Sequence, residues 1–291
     1  MASGGEWEYA GAMTFTRCLL AMAFSAALLL GQNQKQKQTT DWNKPFPPHK
    51  IIGNLYFVGT DNLGTFLITT PQGHILINSD FESTVPQIRT SVEKLGFKFT
   101  DVKILLGSHA HGDHMEGDAL LKELSGARVM AMEQDVPALQ AMKPGGKTHP
   151  IDKVLKDGEA VALGGTTMVA HLTGGHTKGC TTWTTRVQDA GKSYDVVIIC
   201  SVGVNPGYIL VGNKDYPQIA DDYMRSFKTL RSLPCDVFLG AHSAFYGLAA
   251  KYAKVGKGET NPFIDPEGYK AYIDTMEKTF LAKLDEQKKG K

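Results

Sequence analysis

Apolar residues beyond about residue 50 follow two spacings, and each spacing predicts a type of element. Short apolar runs rich in branched residues and bounded by glycine, asparagine or proline are typical of strands. Apolar residues repeating every three or four positions are typical of amphipathic helices. The predicted strands are residues 51–52, 55–58, 65–69, 74–78, 102–106, 127–131 and 236–239, with glycine-rich strands between 154 and 201. The predicted helices are residues 84–95, 119–124, 133–142, 215–233 and 266–287.

The order of these elements predicts an α/β fold. After an opening meander, the first half alternates strands and helices, and the second half places strands before helices. Two broadly similar halves are therefore expected, each with a sheet that is covered by helices. The proline- and aromatic-rich stretch 41–48 has no periodicity and predicts an extended segment that leads into the first strand.

The N-terminal stretch has a different composition from the rest of the chain. Arg17 precedes the apolar run 18–30, and the sequence becomes polar from Gln32. A positive residue, a short apolar run and a polar boundary are typical of a secretory signal peptide. We therefore assign residues 1–31 to a signal peptide and expect a periplasmic or secreted protein. Glu6 and Glu8 fit this pattern poorly, so the natural start is placed at Met13 as an alternative; a retained N-terminal anchor is the other alternative.

Composition and charge exclude several classes of partner. Hydrophobic residues make up 42% and charged residues 21% of the chain, as in ordinary soluble proteins. The net charge is +1, and basic residues do not cluster with aromatic ones. Nucleic acid and anionic membrane surfaces are therefore not expected as partners, and no membrane contact is expected once the signal is removed.

Export changes the interpretation of the cysteines. Cys18 would leave with the signal peptide, so Cys180, Cys200 and Cys235 remain. In an oxidising compartment two of the three can form a disulfide, and Cys180 and Cys200 lie on neighbouring predicted strands. Two buried free thiols are the alternative.

A dense cluster of candidate metal ligands follows the predicted strand 102–106. The segment 108–114 reads Ser-His-Ala-His-Gly-Asp-His and contains three imidazoles and one carboxylate. A helix could not present all of them together, because positions two apart point to different sides. An irregular loop with Gly112 as a flexible joint can do so. The cluster therefore predicts a metal site.

The cluster alone does not complete one coordination sphere. His109 and His111 can converge on one ion, whereas Asp113 and His114 would point elsewhere, so two ions are expected, each with a further ligand. His176 and His242 each follow a predicted strand and have small neighbours that allow an ion to approach. Mixed nitrogen and oxygen ligands favour zinc over magnesium or calcium. The histidines without such a setting are His49, His74, His149 and His171.

The spacing His-x-His-x-Asp-His, a distant Gly-Gly-His-Thr and a C-terminal Gly-x-His resembles the metallo-β-lactamase superfamily, and within it subclass B3. The resemblance implies an αβ/βα four-layer sandwich, in which two mixed β-sheets pack together with helices on the outer faces, as a single domain within residues 32–291. It implies one zinc site made by His109, His111 and His176, and a second made by Asp113, His114 and His242. Asp80 matches the family's carboxylate that orients the ligands from outside the coordination sphere.

One position distinguishes the subclasses. Ser201 stands where many relatives have a bridging aspartate or a cysteine ligand, and His114 would supply the replacement ligand. A shift of one residue would instead make Cys200 the ligand. The resemblance assigns a substrate-binding and catalytic role to Ser201, a ligating and nucleophile-positioning role to Asp113, and substrate contacts to Asn205 and Tyr208. For Tyr208, simple packing is the alternative.

The function implied by the resemblance is hydrolysis of the β-lactam ring of penicillins, cephalosporins and carbapenems by a zinc-bound hydroxide, which would confer β-lactam resistance. The enzyme is expected to act as a monomer with two zinc ions on a small-molecule substrate, without a serine nucleophile. Another hydrolase of the superfamily, a lactonase or a glyoxalase-type thioesterase, is the first alternative. A zinc-binding protein without catalytic activity is the second.

Overall fold

Two β-sheets and the helices that flank them make up the described part of the chain. The computed structural model describes residues 41–258 and 260–290. The signal peptide assigned to residues 1–31 lies outside these residues. Among the described residues, no helix has the length and apolar character needed to cross a membrane.

The first sheet has seven strands in the order of the chain. Strands β1 to β4 form antiparallel neighbours, and β4 to β7 are parallel. The strands are β1 His49–Ile52, β2 Leu55–Phe57, β3 Phe66–Thr70, β4 Gly73–Ile77, β5 Val102–Leu106, β6 Arg128–Met132 and β7 Lys153–Leu155.

The second sheet has five strands in the order β12-β11-β10-β9-β8. Strands β8 to β11 are antiparallel neighbours, whereas β11 and β12 run parallel. The strands are β8 Ala160–Leu163, β9 Thr166–Leu172, β10 Thr181–Asp189, β11 Lys192–Ile199 and β12 Val237–Gly240. Both sheets are therefore mixed, as the resemblance implied.

The helices lie in the connections between these strands and after the last of them. They are α1 Val85–Lys94, α2 Gly112–Met115, α3 Asp118–Ser125, α4 Val136–Ala141, α5 Ile219–Ser232, α6 Leu248–Tyr252 and α7 Pro266–Lys289. The α5 helix begins four residues later than its periodicity predicts. Pro217 disfavours helical backbone in the residue before it, and the Asn213 side chain accepts hydrogen bonds from the backbone N–H groups of Asp215 and Tyr216 instead.

Alternating side chains of the first sheet enter two different cores. Phe66 and Ile68 of β3 belong to the same buried cluster as Trp183 of the second sheet, whereas Leu67 packs in a cluster with Ile88 of α1. Successive side chains of a strand point to opposite faces of the sheet. Because both faces are buried here, these runs are almost continuously apolar. The predicted four-layer sandwich, with two packed sheets and helices outside, is confirmed.

The two sheets meet at the edge where β5 and β12 end. Leu63, in the turn before β3, forms an isolated bridge with His242 after β12, and Gly64 N–H donates to Ala241 O at 2.7 Å. A Cβ on Gly64 would lie 2.2 Å from the carbonyl oxygen of Gly240. This close approach requires glycine and brings the segments after the two strands together.

Cys180, just before β10, and Cys200, just after β11, form a disulfide in which both residues are fully buried. The alternative of two free thiols is therefore wrong. Cys235 is a free cysteine, and burial raises the pKa of its thiol to about 12.

Replacing Cys180 and Cys200 together by alanine is expected to lower the free energy of unfolding. The bond closes a sequence separation of 20 residues, for which a loss of about 3 kcal/mol is expected. Urea denaturation of the purified protein measures the change, and Cys235→Ala is the matched control with a loss of about 1 kcal/mol or less. Equal losses in the two variants would contradict a stabilising disulfide.

Candidate metal centre

The segment after β5 is held in place from the neighbouring strand β4. Asn78, which follows β4 with a φ of 65°, accepts a hydrogen bond from Ser108 N–H at 2.9 Å and donates its amide to Gly64 O. Residues 108–111 are irregular, as predicted, but Gly112–Met115 forms the short helix α2. The prediction of a loop is wrong for these four residues, because the N–H groups of His114 and Met115 both donate to His111 O.

His109, His111 and His176 form the first group of candidate ligands. One ring nitrogen from each lies within 4.8 Å of the others. Nε2 of His109 is buried and has no hydrogen-bond partner in the described part of the chain, while its Nδ1 lies 3.1 Å from Ser108 Oγ. Nδ1 of His176 donates to Gly203 O at 2.8 Å, which leaves the lone pair on Nε2. Such a backbone hydrogen bond fixes the tautomer and orientation that a metal-ligating histidine needs.

Asp113, His114 and His242 form the second group, and its geometry is tighter. Nε2 of His114 lies 3.2 Å from Nε2 of His242 and 3.1 Å from Oδ2 of Asp113. The distance from Asp113 Oδ2 to His242 Nε2 is 3.6 Å. Ligands about 2.0–2.1 Å from a tetrahedral zinc are about 3.4 Å apart, so this triangle has the size of one face of a zinc site.

Electrostatics of the cluster favour the ligand forms of its side chains. Burial, reinforced by neighbouring imidazoles, lowers the pKa of His176 to about 4 and that of His242 to about 3. Burial opposes ionisation of Asp113, but the hydrogen bond with His114 holds the pKa of this carboxyl well below its usual range. Neutral imidazoles and an ionised carboxylate are the forms that bind metal. The residues present therefore fit a zinc or similar ion.

Asp80 lies behind the second group. It follows β4 with a φ of 56°, and its backbone N–H donates to His114 O at 3.2 Å. Burial raises the pKa of its carboxyl to about 8, an effect that the Thr65 hydroxyl opposes and the charge of Asp113 reinforces. The structure thus places Asp80 in contact with the His114 backbone, and an orienting role stays a prediction.

A third group of candidate ligand atoms includes His109, Cys180 and Cys200. Its two sulfur atoms are bonded to each other, so neither is available as a thiolate ligand. The alternative in which Cys200 replaces Ser201 at the site therefore does not fit this arrangement.

Both groups face one cavity of about 650 Å³. Ser201 and Asn205 line it, and their contact with substrate stays a prediction. Tyr208 does not line it; its hydroxyl donates to His176 O at 2.8 Å, and the residue lines a second cavity. A direct contact of Tyr208 with substrate stays a prediction, and its observed contact is with the backbone of a candidate ligand.

Sequence reasoning missed the apolar wall of this cavity, formed by Trp42, Phe81 and Phe245. The Trp42 ring meets the His242 ring edge-on at 5.5 Å, and Phe245 lies 5.1 Å from the same imidazole. The aromatic residues of the 41–48 stretch indicated that this segment packs against another part of the protein. Nothing in that stretch indicated which part of the chain they would contact.

Comparisons with known proteins agree with this geometry. Residues 64–242 match the model of the metallo-beta-lactamase superfamily. FEZ-1 metallo-beta-lactamase from Legionella gormanii is 50% identical, with a TM-score of 0.82, over 84% of this chain and 98% of that chain. BJP-1, a subclass B3 metallo-beta-lactamase of Bradyrhizobium japonicum, is 36% identical, with a TM-score of 0.79, over 86% of this chain and 98% of its own.

The chain also resembles part of a curated relative. A hydroxyacylglutathione hydrolase of Rhodopseudomonas palustris (strain BisB5) is 35% identical over 118 residues, which is 40% of this chain. The match spans 41% of that relative's length.

Proposed function

This chain belongs to the metallo-β-lactamase superfamily of hydrolases, and we propose that it is an exported enzyme with two zinc ions that hydrolyses β-lactam antibiotics. One observation supports the proposal most strongly. Two three-residue groups of ligand type lie beside each other, and two residues of each group line a single cavity. His109, His111 and His176 would hold one ion, and Asp113, His114 and His242 would hold the other. The resemblance to β-lactamases over more than four fifths of the chain supports the choice of substrate.

Zinc bound by such ligands supplies Lewis acidity and brings the pKa of a water towards neutrality. The chain's own residues would orient the reactants. Ionised Asp113 can accept a hydrogen bond from the attacking water at the carboxylate oxygen that does not face the histidines. Asp80, through its contact with the backbone of His114, would hold that ligand in register with Asp113.

The cavity wall offers separate surfaces for the polar and apolar parts of a β-lactam. Ser201 and Asn205 can donate hydrogen bonds to a substrate carboxylate or carbonyl oxygen. Trp42, Phe81 and Phe245, which also line the cavity, can pack against an apolar substituent and exclude water. A cavity of about 650 Å³ has the size of sites that bind drug-sized ligands.

The competing activity is hydrolysis of a glutathione thioester, which the partial match to hydroxyacylglutathione hydrolase favours. Ser201 argues against it, because the family resemblance places a bridging aspartate there in many other hydrolases of the superfamily.

The disulfide is compatible with an oxidising compartment, which also supports export.

Hydrolysis of a carbapenem by the purified mature protein, measured beside zinc content, tests the proposal. We expect turnover that a chelator abolishes and zinc restores, with about two ions per molecule. Lactones and hydroxyacylglutathione thioesters are the comparison substrates. Turnover of a thioester or a lactone without turnover of any β-lactam would contradict the substrate, and bound zinc without any turnover would favour a non-catalytic protein.

Export and resistance need separate measurements. Expression of the full chain in a susceptible bacterium should raise the carbapenem concentration that inhibits growth, and the activity should fractionate with the periplasm or medium. Removing residues 1–31 should retain activity in lysates and abolish protection of the cell. Protection that persists without this segment would contradict an essential signal.

A further inference from the structure

Asp135 is a buried carboxylate between the two segments that carry the three-histidine group. It ends the short 3-10 turn Glu133–Asp135 that follows β6, and only 3% of the residue is exposed. Asp135 belongs neither to the His-x-His-x-Asp-His motif nor to the two groups of candidate ligands. An ionisable group at this depth requires strong partners, because burial of an unpaired charge is costly.

The partners of Asp135 are three donors from both ligand segments. Its Oδ2 accepts hydrogen bonds from the backbone N–H of Ala110 at 2.9 Å and from Thr177 Oγ1 at 2.8 Å. Its Oδ1 accepts from the backbone N–H of Gly179 at 2.6 Å. Ala110 lies between His109 and His111, and Thr177 directly follows His176. One carboxylate thus joins the two backbone segments on which all three imidazoles stand.

The fit of Gly179 against Asp135 gives an independent sign of close packing. A Cβ on Gly179 would lie 2.5 Å from the backbone nitrogen of Asp135 and 2.7 Å from its Cβ. Distances below about 3 Å are sterically excluded between such atoms, so a larger residue at 179 would push the two segments apart. Glycine at this position is what allows the hydrogen bond of 2.6 Å.

We propose that Asp135 is a positioning residue, which sets the spacing of His109, His111 and His176 for metal by holding both segments on one carboxylate. The inference rests on the metal-binding part of the proposed function and not on the choice of a β-lactam as substrate. Partners that orient ligands from outside the coordination sphere commonly change metal affinity by about 10–100-fold.

A carboxylate is required here because all three partners donate. An asparagine at position 135 would have the same shape but one oxygen and one NH₂ group. Whichever way the amide turns, its NH₂ group faces a backbone N–H, either that of Ala110 or that of Gly179. One ligand segment is therefore released while the side-chain volume stays unchanged.

Metal binding by the full mature protein tests the proposal without use of a substrate. Cobalt(II) titration, followed by visible absorption, and zinc competition against a chelator are measured for wild type and Asp135→Asn. We expect zinc binding at one of two sites to weaken by about 10–100-fold, with a changed cobalt spectrum. Thr177→Val, which removes one neutral donor, should weaken that site by about fivefold, and Thr177→Ser should restore wild-type binding.

A matched control separates positioning from a general loss of stability. Thr185→Val removes a buried hydroxyl that donates to Thr167 O at 2.8 Å within the second sheet, and Thr185 belongs to neither group of candidate ligands. It should leave cobalt and zinc binding unchanged. If Asp135→Asn does not fold, the Thr177 and Thr185 variants still decide the question.

Two results would overturn the positioning role. One is wild-type zinc affinity in both Asp135→Asn and Thr177→Val. The other is a loss of zinc affinity in Thr185→Val as large as that in the Asp135 and Thr177 variants. A wild-type protein without β-lactamase activity, whose Asp135 and Thr177 variants bind metal more weakly, would leave the positioning role standing. In that case the proposed substrate would be wrong.

Discussion

Asp113→Asn is expected to lower kcat/KM for a β-lactam by about a hundredfold to ten-thousandfold. The amide keeps the size of the side chain but removes the negative charge that faces His114 Nε2 at 3.1 Å and His242 Nε2 at 3.6 Å. The variant also loses the ionised oxygen that would orient the attacking water. Steady-state kinetics with a carbapenem, together with zinc content, measures the effect, and we expect the zinc content to fall towards one ion per molecule.

The matched control is Asp285→Asn, on the exposed surface of α7, which should keep wild-type kinetics and zinc content. Two results would contradict the role of Asp113. One is an activity within tenfold of wild type at full zinc content. The other is an equal loss of activity in the control variant.

The largest effect on stability is expected from a buried ion pair beneath the ligand segment. Asp118 and His149 are almost fully buried, and Nε2 of His149 lies 3.2 Å from Asp118 Oδ2. Ser79 Oγ donates to Asp118 Oδ1 at 2.6 Å. Both ring nitrogens of His149 also lie 3.1 Å from carbonyl oxygens, those of Pro150 and Met115. Because carbonyl oxygens only accept hydrogen bonds, the ring is held in its doubly protonated form.

Asp118→Ala is expected to reduce the free energy of unfolding by about 3–5 kcal/mol, because it leaves the imidazolium of His149 buried without a counter-charge. Asp274→Ala, which removes a surface partner of Arg231, is the control and should cost less than about 1 kcal/mol. Urea denaturation of both variants provides the comparison. Similar losses in both would contradict a strong buried pair.

The same pair gives a pH dependence with a defined sign. Burial opposes the charge on His149, but the hydrogen bond and charge of Asp118 outweigh it and raise the pKa of His149 above 6.5. The stabilisation is therefore complete below the unfolded pKa of about 6.5 and is lost as pH rises through the folded pKa. The stability difference between wild type and His149→Asn should shrink from pH 6 to pH 9. A difference that is constant over this range would show that the ring does not titrate there.

The sequence predicted most strands because β3, β4 and β5 bury both faces, which makes their runs continuously apolar. It also predicted His176 and His242 as partners of the 108–114 segment, since each follows a predicted strand and has small neighbours. The short helix α2 escaped prediction because its hydrogen bonds depend on the conformation of His111. A single turn has too few residues for a periodicity to show.

Other features escaped prediction because their partners lie far away in the sequence. Asp135 has no ligand-type residue beside it, and its three donors come from two other segments. His149 lacked a setting typical of a metal ligand, and its partner Asp118 comes from a helix whose pattern gave no sign of a buried charge. Trp42 lines the cavity in a segment that is held beside Thr60, whose hydroxyl donates to Trp42 O, and this contact joins positions 18 residues apart.

The contact between His114 and His242 joins positions 128 residues apart in the chain. The chain between them must lose conformational entropy before this contact can stabilise the fold, so the contact is expected to form slowly. Each candidate ligand group combines residues before position 115 with one from beyond position 175. A partly synthesised chain that ends before His176 therefore contains neither complete group, so tight binding of the proposed ions would require the C-terminal part of the chain. If the proposed signal peptide directs export during synthesis, the part of the chain that crosses the membrane before His176 and His242 are made would carry neither complete ligand group.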